Sequence, residues 1–306
     1  MMKRLLVFLV TIILILSTTS VALAVVEVGG DARFWFESNI DGNDTSSFVF
    51  ERFAVFMNAD FSENNGFKSE IRFFNTGINN AVEHAYYYQK NLFTTDELNI
   101  GFLPLYQYYN QNTISLVGNL AYRISPPNTS PGVKYSLKSD KLEACFAILN
   151  ANDQDFQNDA NVNGYEQLLR IVFQPSNNLT VGAGYLNDKG CVGNTNNNGQ
   201  DTFLTLDLTY QINPFSLYME YDSETPYGAS AQSGIYFEGT YKLKDNLIGY
   251  LGGTSASKSS GLLPSEYFCV GVKTQMATQT ELQAEYLIYQ DTADNNSLNV
   301  RLKLSF

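Results

Sequence analysis

The chain has 306 residues, 44% of them hydrophobic, with 31 Asp and Glu against 19 Lys and Arg, a formal net charge of −12 and a mean hydropathy of −0.17. That average excludes a bundle of membrane-spanning helices, and the acidic balance excludes nucleic acid as a partner, because its phosphates would be repelled. A membrane-spanning barrel is not excluded, since its strands alternate lipid-facing and lumen-facing side chains and average near neutral.

The first element is an export signal. Lys3 and Arg4 form a short positive start, Leu5 to Leu16 is apolar except for Thr11, and Ala22-Leu23-Ala24 is a small-x-small cleavage site. The rival, a helical membrane anchor, needs about 20 apolar residues. Residues 1–24 are therefore expected to be removed, leaving a mature chain from Val25. Taking Lys3 and Arg4 from the 19 bases leaves 17 against 31 acids, net −14.

From Val25 to Phe306 one texture repeats: segments of about ten residues alternate apolar and polar, and turn-rich stretches separate them. The expected strands are 26–38, 47–61, 67–75, 82–90 and 97–106, then, after a long connection over 107–130, 131–138, 141–150, 164–174, 178–187, 201–211 and 214–222. The last are 233–243, 246–254, 265–275, 278–289 and 297–306. About 16 strands result, within a margin of two. The connections alternate in length. Short polar turns such as Pro175-Ser176-Asn177 and Lys244-Asp245-Asn246 alternate with longer polar stretches such as 151–162 and 188–200. Short turns on one side and longer loops on the other are what an all-β, antiparallel transmembrane barrel over 25–306 requires. The final strand is the clearest: from Leu298 to Phe306 every even position is apolar and every odd one polar. A soluble β-sandwich strand alternates too, but a sandwich needs one shared core and fewer strands.

Parity then assigns faces. In the first strand Asp31, Arg33, Trp35 and Glu37 share one face, opposite Val26, Val28, Ala32, Phe34 and Phe36. Phe53, Val55, Met57 and Ala59 turn Arg52 inward; Ile71 and Phe73 do the same for Lys68, Glu70 and Arg72; the last strand sends Arg301 and Lys303 inward. Closure makes the last strand the neighbour of the first. Arg301, Arg33, Arg52 and Arg72, four of the six arginines after residue 24, thus fall on adjacent strands. They form a basic strip on the lumen wall, or each pairs with a nearby acid such as Asp31 or Glu70 and only lines it. Further inward candidates are Lys134, Lys138, Glu143, Glu166, Arg170, Asp207, Glu220, Glu238 and Lys273. Tyr165, Phe173, Tyr210, Tyr221, Tyr241 and Tyr289 are expected in outward girdles at the membrane boundaries. Val82 to Tyr88 alternates too weakly for a face to be assigned.

Catalytic chemistry finds little support. His84 is the only histidine, and no Ser-Asn-Gly run follows it; Cys145, Cys191 and Cys269 are scattered, without metal-ligand spacing. The cysteines read as incidental small residues, with one long-range bridge as the alternative. No cofactor and no metal are expected.

The signal, the strand count, the terminal strand ending in Phe306 and the position of the long connection together resemble the general bacterial porin family. So does the stretch Glu97-Leu98-Asn99-Ile100-Gly101-Phe102 leading into that connection. The resemblance covers the mature chain and is architectural, with no diagnostic motif. It implies an outer-membrane homotrimer whose third outer loop, 107–130, folds into the lumen and constricts it, and a terminal Phe306 read by the assembly machinery. One departure stands out. Many family members carry acids on the third loop, whereas 107–130 has no Asp or Glu and offers Tyr108, Tyr109, Tyr122 and Arg123. The expected function is passive diffusion of small hydrophilic solutes and ions through a wet pore set in outer-membrane lipid, with a weak anion preference. The alternatives are a sugar- or phosphate-selective channel and a non-conducting structural or adhesive barrel.

Overall fold

The computed structural model describes residues 25–39, 46–73, 81–104, 129–150, 165–189, 200–225, 231–256, 266–289 and 296–306. The expected signal over 1–24, Cys191 and the loop residues Tyr108, Tyr109, Tyr122 and Arg123 lie outside them.

The described residues form sixteen strands: β1 Val25–Asn39, β2 Ser46–Ser62, β3 Asn65–Phe73, β4 Ala81–Lys90, β5 Asp96–Pro104, β6 Thr129–Lys138, β7 Leu142–Asn150 and β8 Tyr165–Ser176. They continue with β9 Leu179–Lys189, β10 Gln200–Ile212, β11 Phe215–Thr225, β12 Gln232–Lys244, β13 Leu247–Ala256, β14 Glu266–Ala277, β15 Thr280–Tyr289 and β16 Ser297–Ser305. Each pairs antiparallel with the strands before and after it, and β1 pairs with β16 to close a single barrel. All sixteen expected strands are present, with ends shifted by a few residues. The largest revision is β11, which runs three residues past its expected end at 222; β3 starts two residues early because its turn shrinks to Glu63-Asn64, and the end of β5 at Pro104 and the start of β6 at Thr129 move the long connection to 105–128.

The seven turns at one end are tight. Five of them, Glu63-Asn64, Asn177-Asn178, Asn213-Pro214, Asp245-Asn246 and Thr278-Gln279, have two residues. Asn and Asp suit such reversals because their side chains mimic backbone partners and tolerate turn dihedrals. The remaining eight connections lie at the other end.

Exposure along each strand is inverted relative to a soluble protein. In β10, Leu206 is 46% exposed and its neighbour Asp207 only 4%. The same alternation runs round the ring: Ile71, Val133, Ile148, Leu251 and Val270 are exposed, while Glu70, Glu220, Glu238 and Asn299 are buried. Apolar side chains thus coat the outside and polar ones the inside, as a barrel immersed in lipid demands, because an outward charge near mid-depth would cost about 2–4 kcal/mol.

Among the described residues four strand pairs shift register beside a tight turn, and two do so away from it. Between β1 and β2 the register shifts so that Arg33 faces Arg52 but Phe34 faces Phe50, leaving Glu51 as an extra residue. Between β3 and β4, Glu70 faces His84 but Ile71 faces Val82, leaving Glu83 extra. These bulges reverse the parity on either side of themselves. Past the second one, His84, Tyr86 and Tyr88 share the inward face with Glu70.

Closure is completed by the final residue. The Phe306 N–H donates to the Gly30 carbonyl (3.1 Å) and the Gly30 N–H to the Phe306 carbonyl (2.9 Å). The Phe306 ring fills the space that a side chain at Gly30 would take and stacks on Phe53 of β2, centroids 5.6 Å apart. The terminal ring therefore spans β1 and reaches the next strand. A Gly30→Val chain is expected to lose about 1–3 kcal/mol through overpacking, and with it a large part of the heat-modifiable, folded band on a cold gel. Folding at the normal yield would mean the ring has no part in sealing this seam.

Candidate functional site: two charged faces of the inner wall

Closure brings the ends of the chain together, and with them the inward charges of β14 to β4. Asp31 is the hub of one group. Arg52 donates to both of its carboxylate oxygens (3.0 and 2.7 Å), Arg33 lies at 3.4 Å and Lys303 Nζ at 3.9 Å. Glu70 is the second hub: Arg72 Nε donates to it at 2.6 Å, Arg52 approaches to 3.7 Å and His84 Nδ1 to 3.9 Å. Glu281 of β15 is the third, held by Lys273 of β14 at 2.9 Å and Arg301 at 3.7 Å. Arg301 also donates to Gln283 (2.9 Å). Because Arg33 is the register partner of both Arg52 and Lys303, these groups share one level.

Among the described side chains the belt thus holds six cations, Lys273, Arg301, Lys303, Arg33, Arg52 and Arg72, around three carboxylates. The arginines both cluster and pair, so the two readings of them are not exclusive. Each of these carboxylates serves two or more cations.

The facing wall has the opposite sign. In the ring β10 lies eight strands from β2 in either direction. On β8 to β12, Glu166, Asp207, Glu220, Asp222 and Glu238 are all buried, with Arg170 among them. Arg170 pairs with Asp207 at 2.5 Å, and the pair fits because Gly182, between the two strands, has no side chain; a Cβ there would strike both charged ends. Asp207 faces Glu220 across β10 and β11. The Tyr218 hydroxyl donates to Glu220, and that of Tyr236 to Glu238 at 2.7 Å. Glu220 is the sixth residue of β11 and Glu70 the sixth of β3, each counted from the tight-turn end.

Among these inward polar residues, one apolar cluster spans β4 to β10. Leu103, Ala147, Leu149, Leu168, Leu186 and Phe203 form one buried cluster with Tyr86 and Tyr88. Cys145 belongs to it and Cys269 to a second cluster of inward tyrosines; both are buried thiols, not halves of a disulfide.

The seven wall residues named from parity, Asp31, Arg33, Arg52, Glu70, Arg72, Arg301 and Lys303, all fall in the one belt. The acidic face could be read only in part. Its members were inward candidates one by one, except Asp222 at a strand end, but nothing in the sequence announces that they share a wall. Tyr165, Phe173, Tyr210, Tyr221 and Tyr241 are outward and exposed as expected. Tyr289 is a correction: it shares the face of buried Leu287 and packs on inward Tyr267, centroids 6.2 Å apart. Among the described residues no group of three or more His, Cys, Asp or Glu side chains has metal-binding geometry.

No protein-family model matches the sequence, and no curated protein matches it. Solved structures do. OmpF of Salmonella typhi, in complex with daunomycin, aligns with a TM-score of 0.72 at 12% identity over 92% of this chain and 97% of its own. The anion-selective porin of Comamonas acidovorans gives 0.73 at 12% identity over 92% and 100%. OmpT, an outer membrane protein of Vibrio cholerae in a trimer form, gives 0.67 at 15% identity over 92% and 99%. The fold is that of bacterial outer-membrane porins.

Asp31 carries the test of the belt. Removing its charge leaves three cations around a neutral group, so Asp31→Asn should lower stability by about 2 kcal/mol. Arg52→Gln in the same chain should recover part of the loss. Urea unfolding in lipid vesicles reads both changes; strictly additive effects would show that the two side chains do not act on each other.

Proposed function

We propose that this chain, built on the outer-membrane porin fold, is a member of that family. It works in the outer membrane of a diderm bacterium as a water-filled channel for passive diffusion of small hydrophilic solutes and ions. The observation that carries this reading is the closed sixteen-strand barrel with its charges on the inside and its apolar side chains outside. Such an interior has no use for a packed soluble protein, whereas a wet lumen needs polar walls. The chain acts without cofactor and without catalysis: His84 sits in an ion-pair environment beside Glu70 and the Tyr86 ring. It assembles as a homotrimer, in keeping with the trimer form of the Vibrio cholerae neighbour. Export uses residues 1–24, and the assembly machinery reads the terminal strand through Phe306.

Residues 105–128 form the constriction. Support comes from the inward apolar cluster over β4 to β10, which includes Leu103 at the end of β5. Apolar surface left facing water costs about 25 cal/mol per Å². The segment that follows carries Ile114, Leu116, Val117 and Leu120 to cover it, and Tyr108, Tyr109, Tyr122 and Arg123 to meet solutes. The weak anion preference expected from the arginines alone is revised here, because the acidic face opposes them. The two faces make the lumen sensitive to charge on either side.

Single-channel recording on the full-length protein in planar bilayers tests the reading. Stable ohmic steps are expected; their absence in folded, inserted protein would favour a structural or adhesive barrel. Deleting 110–125 should raise conductance and relax the size limit, and an unchanged cutoff would remove that segment from the lumen. In a salt gradient, replacing Arg33, Arg52 and Arg72 with Gln should shift the reversal potential toward cations. Replacing Glu220 and Glu238 with Gln should shift it toward anions. Each change should alter the permeability ratio by about two- to fivefold, since one charge acts across water with about 1 kcal/mol at contact distance. Immobile reversal potentials in both variants would make the two faces inert lining.

A further inference from the structure

The chain has one histidine, and the bulge at Glu83 decides where it goes. Had β4 kept step with β3, Glu83 would stand opposite Glu70 and His84 would share the outward parity of Val82. With the extra residue expelled from the ladder, His84 becomes the register partner of Glu70 and turns to the lumen. Its Nδ1 stands 3.9 Å from Glu70 Oε2, too far for a hydrogen bond, and among the described residues it has no hydrogen-bond partner. The other oxygen of that carboxylate is occupied. Arg72 Nε donates to Oε1 at 2.6 Å, and Arg52 Nη1 lies 3.7 Å from it. Glu70 thus shows one oxygen to the arginines and the other to an unused ring nitrogen. The His84 side chain is 13% exposed, so the contact is shielded and still borders the lumen.

The charged groups that face the ring, Glu70, Arg72 and Lys68, all come from β3. Arg52 of β2 meets it through Glu70. On its own strand the Tyr86 ring packs beside it, centroids 5.6 Å apart. Toward β5, the inward residue beyond the last register pair, Ala85 with Phe102, is apolar Leu103. Glu70 draws positive charge to the ring, and Arg72 and Lys68 oppose it. A neutral imidazole can keep its proton on Nε2 and turn a lone pair to the carboxylate. A protonated ring carries N–H on both nitrogens and must aim one at Oε2. Histidine is the side chain whose ordinary charge change falls between about pH 5 and 8. We propose that His84 is a proton-operated clasp on Glu70. In mild acid the ring takes a proton from lumen water, its Nδ1–H closes on Oε2, and the carboxylate is drawn away from Arg52. One positive charge is added to the belt, and the lumen then favours anions more than it does in mild base. The proposal rests on the open-channel reading and gives that channel an internal response to pH.

The test uses the full-length protein in planar bilayers under a potassium chloride gradient. Between about pH 8 and about pH 5, the cation-to-anion permeability ratio of the wild type should fall about twofold more than that of His84→Gln, as expected for one added charge acting across water. Carboxylates that titrate at the acid end act alike in both proteins and cancel in this comparison. Glu70→Gln keeps the ring and removes its acceptor, so it should lose about half or more of the same difference. A second measurement does not depend on conduction. Because the histidine is single, labelling it with heavy nitrogen yields one pair of imidazole signals. In detergent micelles both nitrogens should reach the shifts of a doubly protonated ring at the acid end. An equal pH response in wild type and His84→Gln overturns the clasp, and so does a ring that is still neutral at the acid end. Absence of conducting steps at every pH in folded, inserted protein would instead sink the channel reading, and the nitrogen shifts would then decide whether the ring closes on Glu70.

Discussion

Everything in this molecule follows from one rule of the hydrocarbon phase: a backbone N–H or C=O without a partner there costs several kcal/mol. A sheet in lipid can have no edge, so the strand that ends the chain must meet the strand that begins it. The β1–β16 register, from Asp31 opposite Ser305 to Asn39 opposite Ser297, is how this chain meets the rule. The Phe306 ring over Gly30 extends that closure past the last ladder bond. Once the ring of strands is shut, the two-residue period has only two destinations, lipid or lumen, and each side chain's chemistry is decided by its parity.

Closure also arranges the electrostatics. Arg33 and Arg301 belong to opposite ends of the chain and could share a belt only across the seam. The same ring geometry separates the belt from the acids of β8 to β12 by half a circumference. Neither face is a row of bare charges. Asp31 and Glu70 each hold several cations together, Arg170 stands among the carboxylates, and tyrosine hydroxyls donate to Glu220 and Glu238. Like charges crowded on a wall repel, and interleaving limits that cost.

The strands were legible because an outward apolar and an inward polar residue must alternate through some ten positions, and turns of Asn, Asp and Gly punctuate them. The belt was legible for the same reason, once closure was assumed. What was hidden has specific causes. Glu51 and Glu83 are bulged, and a bulge looks from sequence like a loss of pattern; that is why the face of His84 could not be assigned. Tyr289 looked like a girdle residue from its position near a strand end, yet its parity puts it inside with Leu287. The acidic wall depends on which distant strands share a level, and single-strand patterns do not encode height. Asn91 to Thr95 read as one more turn, since the bonds from Asp96 and Asn64 that stiffen it depend on how the neighbouring turns are placed in space.

The bulges at Glu51 and Glu83 also bear on how such a chain can change in length over generations. Adding one residue to a strand of this wall would send every side chain beyond it to the wrong medium, charges to lipid and leucines to water. Growth by single codons is therefore closed to the strands unless the extra residue is expelled from the ladder, as it is at these two glutamates. Insertions by pairs keep parity but lengthen the wall past the bilayer. Heritable variation in length is left to the eight connections at the end opposite the tight turns, where the chain can try new surfaces without disturbing the partition on which the barrel depends.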